Sequence, residues 1–350
     1  MSSRESSPSA FSIHGDSPME TRVVEGKPAG WRVRRLAVLV VLGVLLAGGV
    51  AAYRHYWLAR PVGEGPAGPP VNSTPFARVW SDRKVLVLGL GDSVTAGFGA
   101  PTGYGYVDRL VDNPPEEWPD MKERCLRRVL PNLEVRNMAI SGSTSLTHLA
   151  IVERDLPEHD RDTLGLVVMT TGGNDLIHSY GQRPPREGAM YGATLQQARP
   201  WIEAFEKRLD RMLDLIDERF PGGCHVFLAD IYDPSDGVGD PLAAGLPPWK
   251  DCMAILAAYN EIIHRAAERR PNVHLVPMHA AFLGHGVHAA QFWREHYRAD
   301  DPHYWFGVNL EDPNIRGYDA IRRLFLNEMA EVLSGIDDAE EEPRINADQR

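Results

Sequence analysis

Apolar positions along the chain fall into one long uninterrupted run, several short runs and several periodic stretches. The long run is residues 36–53, LAVLVVLGVLLAGGVAAY, eighteen positions without a charge. At 1.5 Å per residue, that length just crosses the hydrocarbon core of a bilayer. The short runs are residues 85–88 (VLVL), 133–138 (LEVRNM), 164–170 (LGLVVMT), 224–231 (CHVFLADI) and 273–278 (VHLVPM). Such runs predict strands, and the continuously apolar ones suit strands buried on both faces. Helical spacing appears between them. Ile202, Phe205, Leu209, Met212, Ile216 and Phe220 recur at steps of three and four, with Pro200 near the start and Pro221-Gly222 at the stop. Residues 253–267 form another helical stretch. A third is 315–333, with Tyr318, Ile321, Phe325, Met329 and Val332 on one face and Asn314 as its N-cap. Alternating strands and helices predict an α/β fold with a parallel sheet covered on both faces. In such folds, ligands bind beyond the carboxyl ends of the strands.

The ends read differently. Residues 1–30 are rich in Ser, Pro and Gly without an apolar period, as in a disordered segment. Lys27, Arg32, Arg34 and Arg35 precede the long apolar run and only Arg54 and Arg60 follow closely. The positive-inside rule then places residues 1–35 in the cytoplasm, makes 36–53 a transmembrane signal anchor and puts the rest outside, periplasmic or extracellular. A cleaved signal peptide is the alternative, but a 35-residue leader is long for one. Residues 61–75, with five Pro and three Gly, read as a semi-rigid tether within a linker over 54–82. Residues 337–350 carry six acids and two Arg and read as a solvated tail. That leaves 83–336 as one folded domain.

Composition narrows the function. The net charge of −11 gives none of the basic excess of a nucleic-acid binder. The three cysteines, Cys125, Cys224 and Cys252, are too few and too scattered for a disulfide scaffold or a zinc site. Four Asp in 230–240 have the charge for Ca²⁺, but not EF-hand spacing, and Asp-Pro and Asp-Gly are turn pairs. No metal and no cofactor is expected. Aromatic residues crowd 288–308, including Trp293, Tyr297, Tyr304, Trp305 and Phe306, either as core packing or as a ligand wall.

Three predicted strand-end loops carry candidate chemistry. The first, GLGDSVTAG (89–97), lacks the third Gly of a dinucleotide turn, the Lys of a P-loop and the second Gly of the G-x-S-x-G elbow. It leaves Ser93 at a strand-to-helix turn, near backbone N–H groups and the positive end of a helix. The second, NMAISGST (137–144), offers the unhindered N–H of Gly142. The third, TTGGND (170–175), puts Asn174 on a Gly-bent loop, where its amide can face a developing oxyanion. In this order the three blocks resemble the SGNH/GDSL hydrolase family over residues 83–334. That resemblance implies a flavodoxin-like three-layer α/β/α sandwich with a five-stranded parallel sheet. It also implies Ser93 as nucleophile and an oxyanion hole from the Ser93 N–H, the Gly142 N–H and the Asn174 amide.

The fourth block departs from the family pattern of Asp-x-x-His-Pro-Asn. Here it reads NLEDPNIRGY (309–318), with Asp312 in place of the His and Asn309 in place of its Asp. A serine at its free pKa needs a base beside it, and a carboxylate could serve only where its environment raises its reference pKa of about 4. The segment 279–303 is rich in His and leaves a predicted strand end. His285, in a Gly-His-Gly turn, is the preferred base, with His303 or His279 as alternatives and Asp312 orienting it. The expected function is an extracytoplasmic, membrane-anchored serine esterase acting on an acyl ester of a lipid or an acylated glycan. Acyl transfer to a polymer hydroxyl, or glycan or lipid binding without turnover, are the alternatives.

Overall fold

The structure is a computed structural model that describes residues 29–335. The expected disordered leader, up to residue 28, and the acidic tail over 337–350 lie outside the described residues. The chain divides into two units, Met1–Ala52 and Tyr53–Arg350. In the first, helix α1 (Ala29–Tyr53) contains the expected apolar run. It continues as a π turn over Arg54–Leu58, and Trp31–Leu58 is long and apolar enough to cross a membrane.

The second unit contains β1 (Lys84–Leu90), α2 (Ser93–Ala96), α3 (Tyr106–Val111), α4 (Leu126–Val129), β2 (Leu133–Asn137) and α5 (Ser145–Asp155). There follow β3 (Thr163–Met169), α6 (Gly173–Ile177), α7 (Leu195–Arg219), β4 (Cys224–Ala229) and α8 (Cys252–Arg269). The last elements are β5 (Val273–Val276), α9 (Met278–Phe282) and α10 (Ile315–Leu333). All five predicted strands form, and they pair in parallel in the order β2-β1-β3-β4-β5. Alternate residues feed opposite faces. Val85 and Val87 join Val168 and Phe227 in a core under α3, α4 and α10. Leu86 and Leu88 join Val167 and Val226 in a second core under α5, α7 and α8. The three layers and the five-stranded parallel sheet are those expected. Because strand order reverses around β1, a crevice opens beyond the carboxyl ends of β1 and β3.

Local signals set the helix ends. Asn314 Oδ1 accepts from the N–H groups of Arg316 (2.9 Å) and Gly317 (3.0 Å), the predicted N-cap of α10. Helix α7 starts earlier than Pro200 suggests, at a capping box in which Thr194 Oγ1 accepts from Gln197 N–H and Gln197 Oε1 accepts from Thr194 N–H. Pro200 lies inside α7. There it removes one early backbone donor, and the cap and the buried face outweigh that loss.

The Pro/Gly stretch expected as a tether is docked instead. Ala67 and Val71 are buried, and Ala67 N–H donates to Asp319 Oδ2 at 3.0 Å. Arg316 Nη1 and Nη2 donate to the carbonyls of Val62 and Pro66. Gly68, at φ +90°, lies so close that a Cβ there would come within 2.6 Å of Ala320 Cα. Pro-rich composition forbids helix and sheet but leaves carbonyls free to accept from side chains, and Arg316 uses them.

The strap covers a charged core. Asp319 pairs with Arg109 (3.1 Å), Arg322 (2.6 Å) and Arg323 (3.0 Å), and Glu117 pairs with Arg109 (3.1 Å) and Arg322. Burial alone would raise the Glu117 carboxyl, but Arg322 and Arg109 outweigh it and pull it down to about 2. Removing one member of such a network strands the others. D319A is expected to cost about 3–5 kcal/mol in chemical denaturation. R127A, which breaks the exposed Arg127–Asp112 pair, is expected to cost less than about 1 kcal/mol.

Candidate active site

The site begins where β1 stops. Gly91 (φ +146°) has no room for a side chain, since a Cβ would lie 2.4 Å from Thr170 Oγ1 and 2.6 Å from the Thr170 carbonyl. That approach brings the turn after β1 against the turn after β3. Asp92 caps α2, its Oδ1 accepting from Val94 N–H (3.1 Å) and Thr170 Oγ1 (2.9 Å). Burial, with the charge of Asp312 added, pushes its carboxyl up to about 6. Ser93 is the first residue of α2 and lines a cavity of about 170 Å³.

Asn174 lines the same cavity. It follows Gly172, whose φ of +96° makes the entry to α6, and its Nδ2 donates to the Ser143 carbonyl at 2.9 Å. The second amide proton of Asn174 has no partner among the described residues. Gly142 sits just before Ser143 at φ +77°, exposed and without a neighbour where its Cβ would be, and lies outside the cavity lining.

A residue that sequence reasoning missed ties these loops together. His148, on α5, is buried, with Nε2 2.7 Å from Ser143 Oγ and Nδ1 2.8 Å from Thr171 Oγ1. The single hydroxyl proton of Ser143 goes to the carbonyl of Ile140 (2.6 Å) or Gly91 (3.1 Å). His148 Nε2 therefore donates to Ser143 and Nδ1 accepts from Thr171. Burial pushes this imidazole down to about 4, so it is neutral at ordinary pH. Asp175 braces the same loops, accepting from Ser145 N–H (2.9 Å) and Ser145 Oγ (2.8 Å). A lone His in an apolar helix pattern gave no signal of this.

The histidines expected to serve Ser93 are elsewhere. Among the described residues, no histidine lines the cavity. His285 stacks on Trp305 with centroids 3.4 Å apart, and its Nδ1 meets the His303 carbonyl at 3.0 Å. Burial pushes its imidazole down to about 4. His303 Nδ1 pairs with Asp301 at 2.5 Å, and His279 Nδ1 meets the Ile231 carbonyl at 2.9 Å. The physical reason is the acidic loop after β4. Asp236 accepts from the N–H groups of Gly284, Gly286 and His288 at 2.7–2.9 Å, and Asp240 pairs with His288. The carboxylates suggestive of Ca²⁺ thus fasten the His segment to the fold. Tyr304, Trp305 and Phe306 are buried core residues, whereas Trp293 is exposed.

The fourth block supplies carboxylates where an imidazole was sought. Asn309 and Asp312 hold each other, Asn309 Nδ2 donating to Asp312 Oδ2 at 2.6 Å and Asp312 N–H to Asn309 Oδ1 at 3.2 Å. Asp312 is buried, and its Oδ1 has no hydrogen-bond partner among the described residues. Glu311, which sequence reasoning passed over, lines the cavity with Ser93 and Asn309. Burial, then the Asp312 charge, pushes its carboxyl up to about 7. Two adjacent acids opposite a strand-end serine were the available signal.

The neutral His148 has a consequence for stability. Its folded-state value, about 4, lies below the model-peptide value of 6.5, so the unfolded chain binds the extra proton between these limits. Stability contributed by His148 is therefore present above pH 6.5 and lost as pH falls through about 4, by up to about 3 kcal/mol. H148N is expected to flatten that loss in denaturation curves taken across the window. The difference between the two proteins isolates the imidazole from Asp92, whose raised carboxyl slopes the opposite way.

The sequence profile of the GDSL-like Lipase/Acylhydrolase family matches residues 90–320. The uncharacterized protein YpmR of Bacillus subtilis is 24% identical over 134 residues, 38% of this chain and 46% of that protein. The chain thus aligns with about half the length of that curated relative. Similar solved structures include a G-D-S-L lipolytic protein from Veillonella parvula, with 16% identity, 71% of this chain and 98% of that one covered, and a TM-score of 0.43. A catalytic mutant of the acetylxylan esterase Axe2 from Geobacillus stearothermophilus matches at 18% identity, covering 71% of this chain and 95% of that one, with a TM-score of 0.45. The esterase EstA from Pseudoalteromonas sp. matches at 17% identity, covering 70% and 97%, with a TM-score of 0.39. Spanning the chain from the Gly-Asp-Ser turn into the last helix, the profile match establishes that this protein belongs to the GDSL-like lipase/acylhydrolase family.

Proposed function

We propose that the chain is a membrane-anchored, extracytoplasmic serine hydrolase that cleaves a carboxylic ester, with Ser93 as nucleophile. The observation that carries this reading is that Ser93, Asn174 and Glu311 share one cavity. Much of the rest of its wall is apolar, including Leu176, Ile177, Leu246, Trp249 and Met253, as suits the acyl part of a lipid or of an acylated glycan. Ser93 Oγ attacks the ester carbonyl carbon. The carbonyl oxygen becomes an oxyanion held by the Ser93 N–H and the free amide proton of Asn174, the two donors on the cavity wall. One such donor is worth about 3 kcal/mol in acyl transfer.

The proton of Ser93 goes to a carboxylate of the fourth block. In this reading Glu311, with its carboxyl near 7, takes the proton during attack and returns it to the leaving alkoxide. Burial, and then the charge of Asp312 one residue on, keeps the Glu311 carboxyl high and so basic enough for that work. Water, activated by the same carboxylate, then hydrolyses the acyl-enzyme. A polymer hydroxyl in place of water would make the same residues an acyltransferase. The anchor is α1, with Arg32, Arg34 and Arg35 in its first turns holding that end in the cytoplasm.

That no imidazole among the described residues lines the cavity favours a second reading, a binding domain without turnover, and one experiment separates the two. The full chain is treated with a fluorophosphonate probe and with a short p-nitrophenyl ester. Covalent labelling and ester hydrolysis, both lost in S93A, are expected. An unlabelled wild type would overturn the enzyme reading. E311Q is expected to lower kcat by about 10²–10⁴-fold, the usual worth of a general base. Wild-type kcat should rise with pH through about 7 as Glu311 deprotonates, and E311Q should lose that rise.

A further inference from the structure

Aromatic side chains far apart in sequence meet on the surface of the Tyr53–Arg350 unit. Tyr56 and Trp57 lie in the π turn that continues α1, and Phe292 and Trp293 in the long loop between α9 and α10. Tyr56 packs edge-on against Phe292 (5.8 Å) and Trp293 (4.9 Å), and Trp57 lies 5.3 Å from Trp293. The buried Gln291 fixes the arrangement, its Nε2 donating to the Tyr56 carbonyl at 3.0 Å while its Oε1 accepts from Arg294 Nε at 2.8 Å. The cluster nevertheless faces outward. Trp57 is 47% exposed, Trp293 45%, Phe292 60% and the adjoining Leu58 61%.

Single exposed apolar residues need no explanation, but a braced, contiguous group of this size marks a surface that meets something apolar. Connectivity names the occupant. Trp57 follows the last residue of α1, Tyr53, by four positions, so even a fully extended chain could hold it no more than about 14 Å from the end of that helix. Where α1 crosses a bilayer, that distance keeps the patch near the boundary between hydrocarbon and headgroups. Tryptophan and tyrosine favour that boundary, with an apolar ring on one side and a polar edge on the other. The exposed Arg54 and the partly exposed Arg294 flank the patch with two positive charges against the one negative charge of the exposed Glu295, a balance that suits anionic headgroups.

We propose that Trp57, Phe292 and Trp293 form a lipid-docking surface that settles into the headgroup layer and holds the hydrolase domain against the membrane. This rests on the anchor reading of α1. The domain is then restrained by a second contact from the loop before α10, 236 positions from Trp57 at Trp293. Substrate is met at the lipid surface instead of at the end of a free tether.

The test uses the full chain reconstituted in phosphatidylcholine/phosphatidylglycerol vesicles, with bromines placed either near the headgroups or near the chain ends. Trp293 is expected to contribute fluorescence that shallow bromines quench about twofold more than deep ones, as for rings at the headgroup level. W293F should remove that contribution, and W201F, a change on α7, should leave it. The exposure of Trp293 predicts an unchanged thermal unfolding curve for W293F. Equal quenching in wild type and W293F, with the protein resisting alkaline carbonate extraction, would overturn the docking and leave the anchor standing. Extraction of the wild type by carbonate would overturn both.

Discussion

The site depends on one close approach, between Gly91 at the end of β1 and Thr170 at the end of β3. With no Cβ at Gly91, the Thr170 hydroxyl and carbonyl occupy the space a side chain would fill. The sheet order brings these two strand ends side by side, and the missing side chain lets their loops touch. Ser93 on one loop and Asn174 on the other thereby face one cavity, although 81 positions separate them in the chain.

Close approach alone would leave the loops free to shift, and buried polar groups remove that freedom. His148 bridges the second and third loops through Ser143 and Thr171, and Asn174 ties back to Ser143. Asp175 anchors the start of α5 to α6 through Ser145. Each contact pairs a buried donor with a buried acceptor, so displacing either loop would strand polar groups in a dry interior. Preorganised donors are what the proposed oxyanion role of these loops would require, and this bracing is consistent with that proposal.

The opposite flank is held by charge. Helix α10 follows directly on the fourth block, and its position sets where Asn309, Glu311 and Asp312 lie. Its Asp319, Arg322 and Arg323 pair with Arg109 on α3 and with Glu117 and Asp120 from the segment before α4, and the strap over residues 61–75 closes on them. The acidic loop after β4 likewise commits His285 and its neighbours to structural contacts. Glu311 and Asp312 remain as the carboxyl groups of the fourth block, one on the cavity wall and the other buried.

The sequence by itself determined the strands, the main helices and the loops that carry Ser93, Gly142 and Asn174. Runs such as residues 85–88 and 164–170 declare a strand buried on both faces, and Asn314 declares a helix start, because these are local properties of spacing and capping. Other features had no local signature. Pro/Gly composition shows only that residues 61–75 make no α-helix or sheet, whereas their docking depends on Arg316, Asp319 and Ala320 some 250 positions away. A histidine-rich segment leaving a strand end looks catalytic until Trp305 and the Asp236 turn claim it. Glu311 looks like any surface acid until burial beside Asp312 raises its carboxyl. Tertiary structure decided these points because the partner of a ring, a charge or a carbonyl is set by what the fold packs against it, and spacing along the chain carries no record of that.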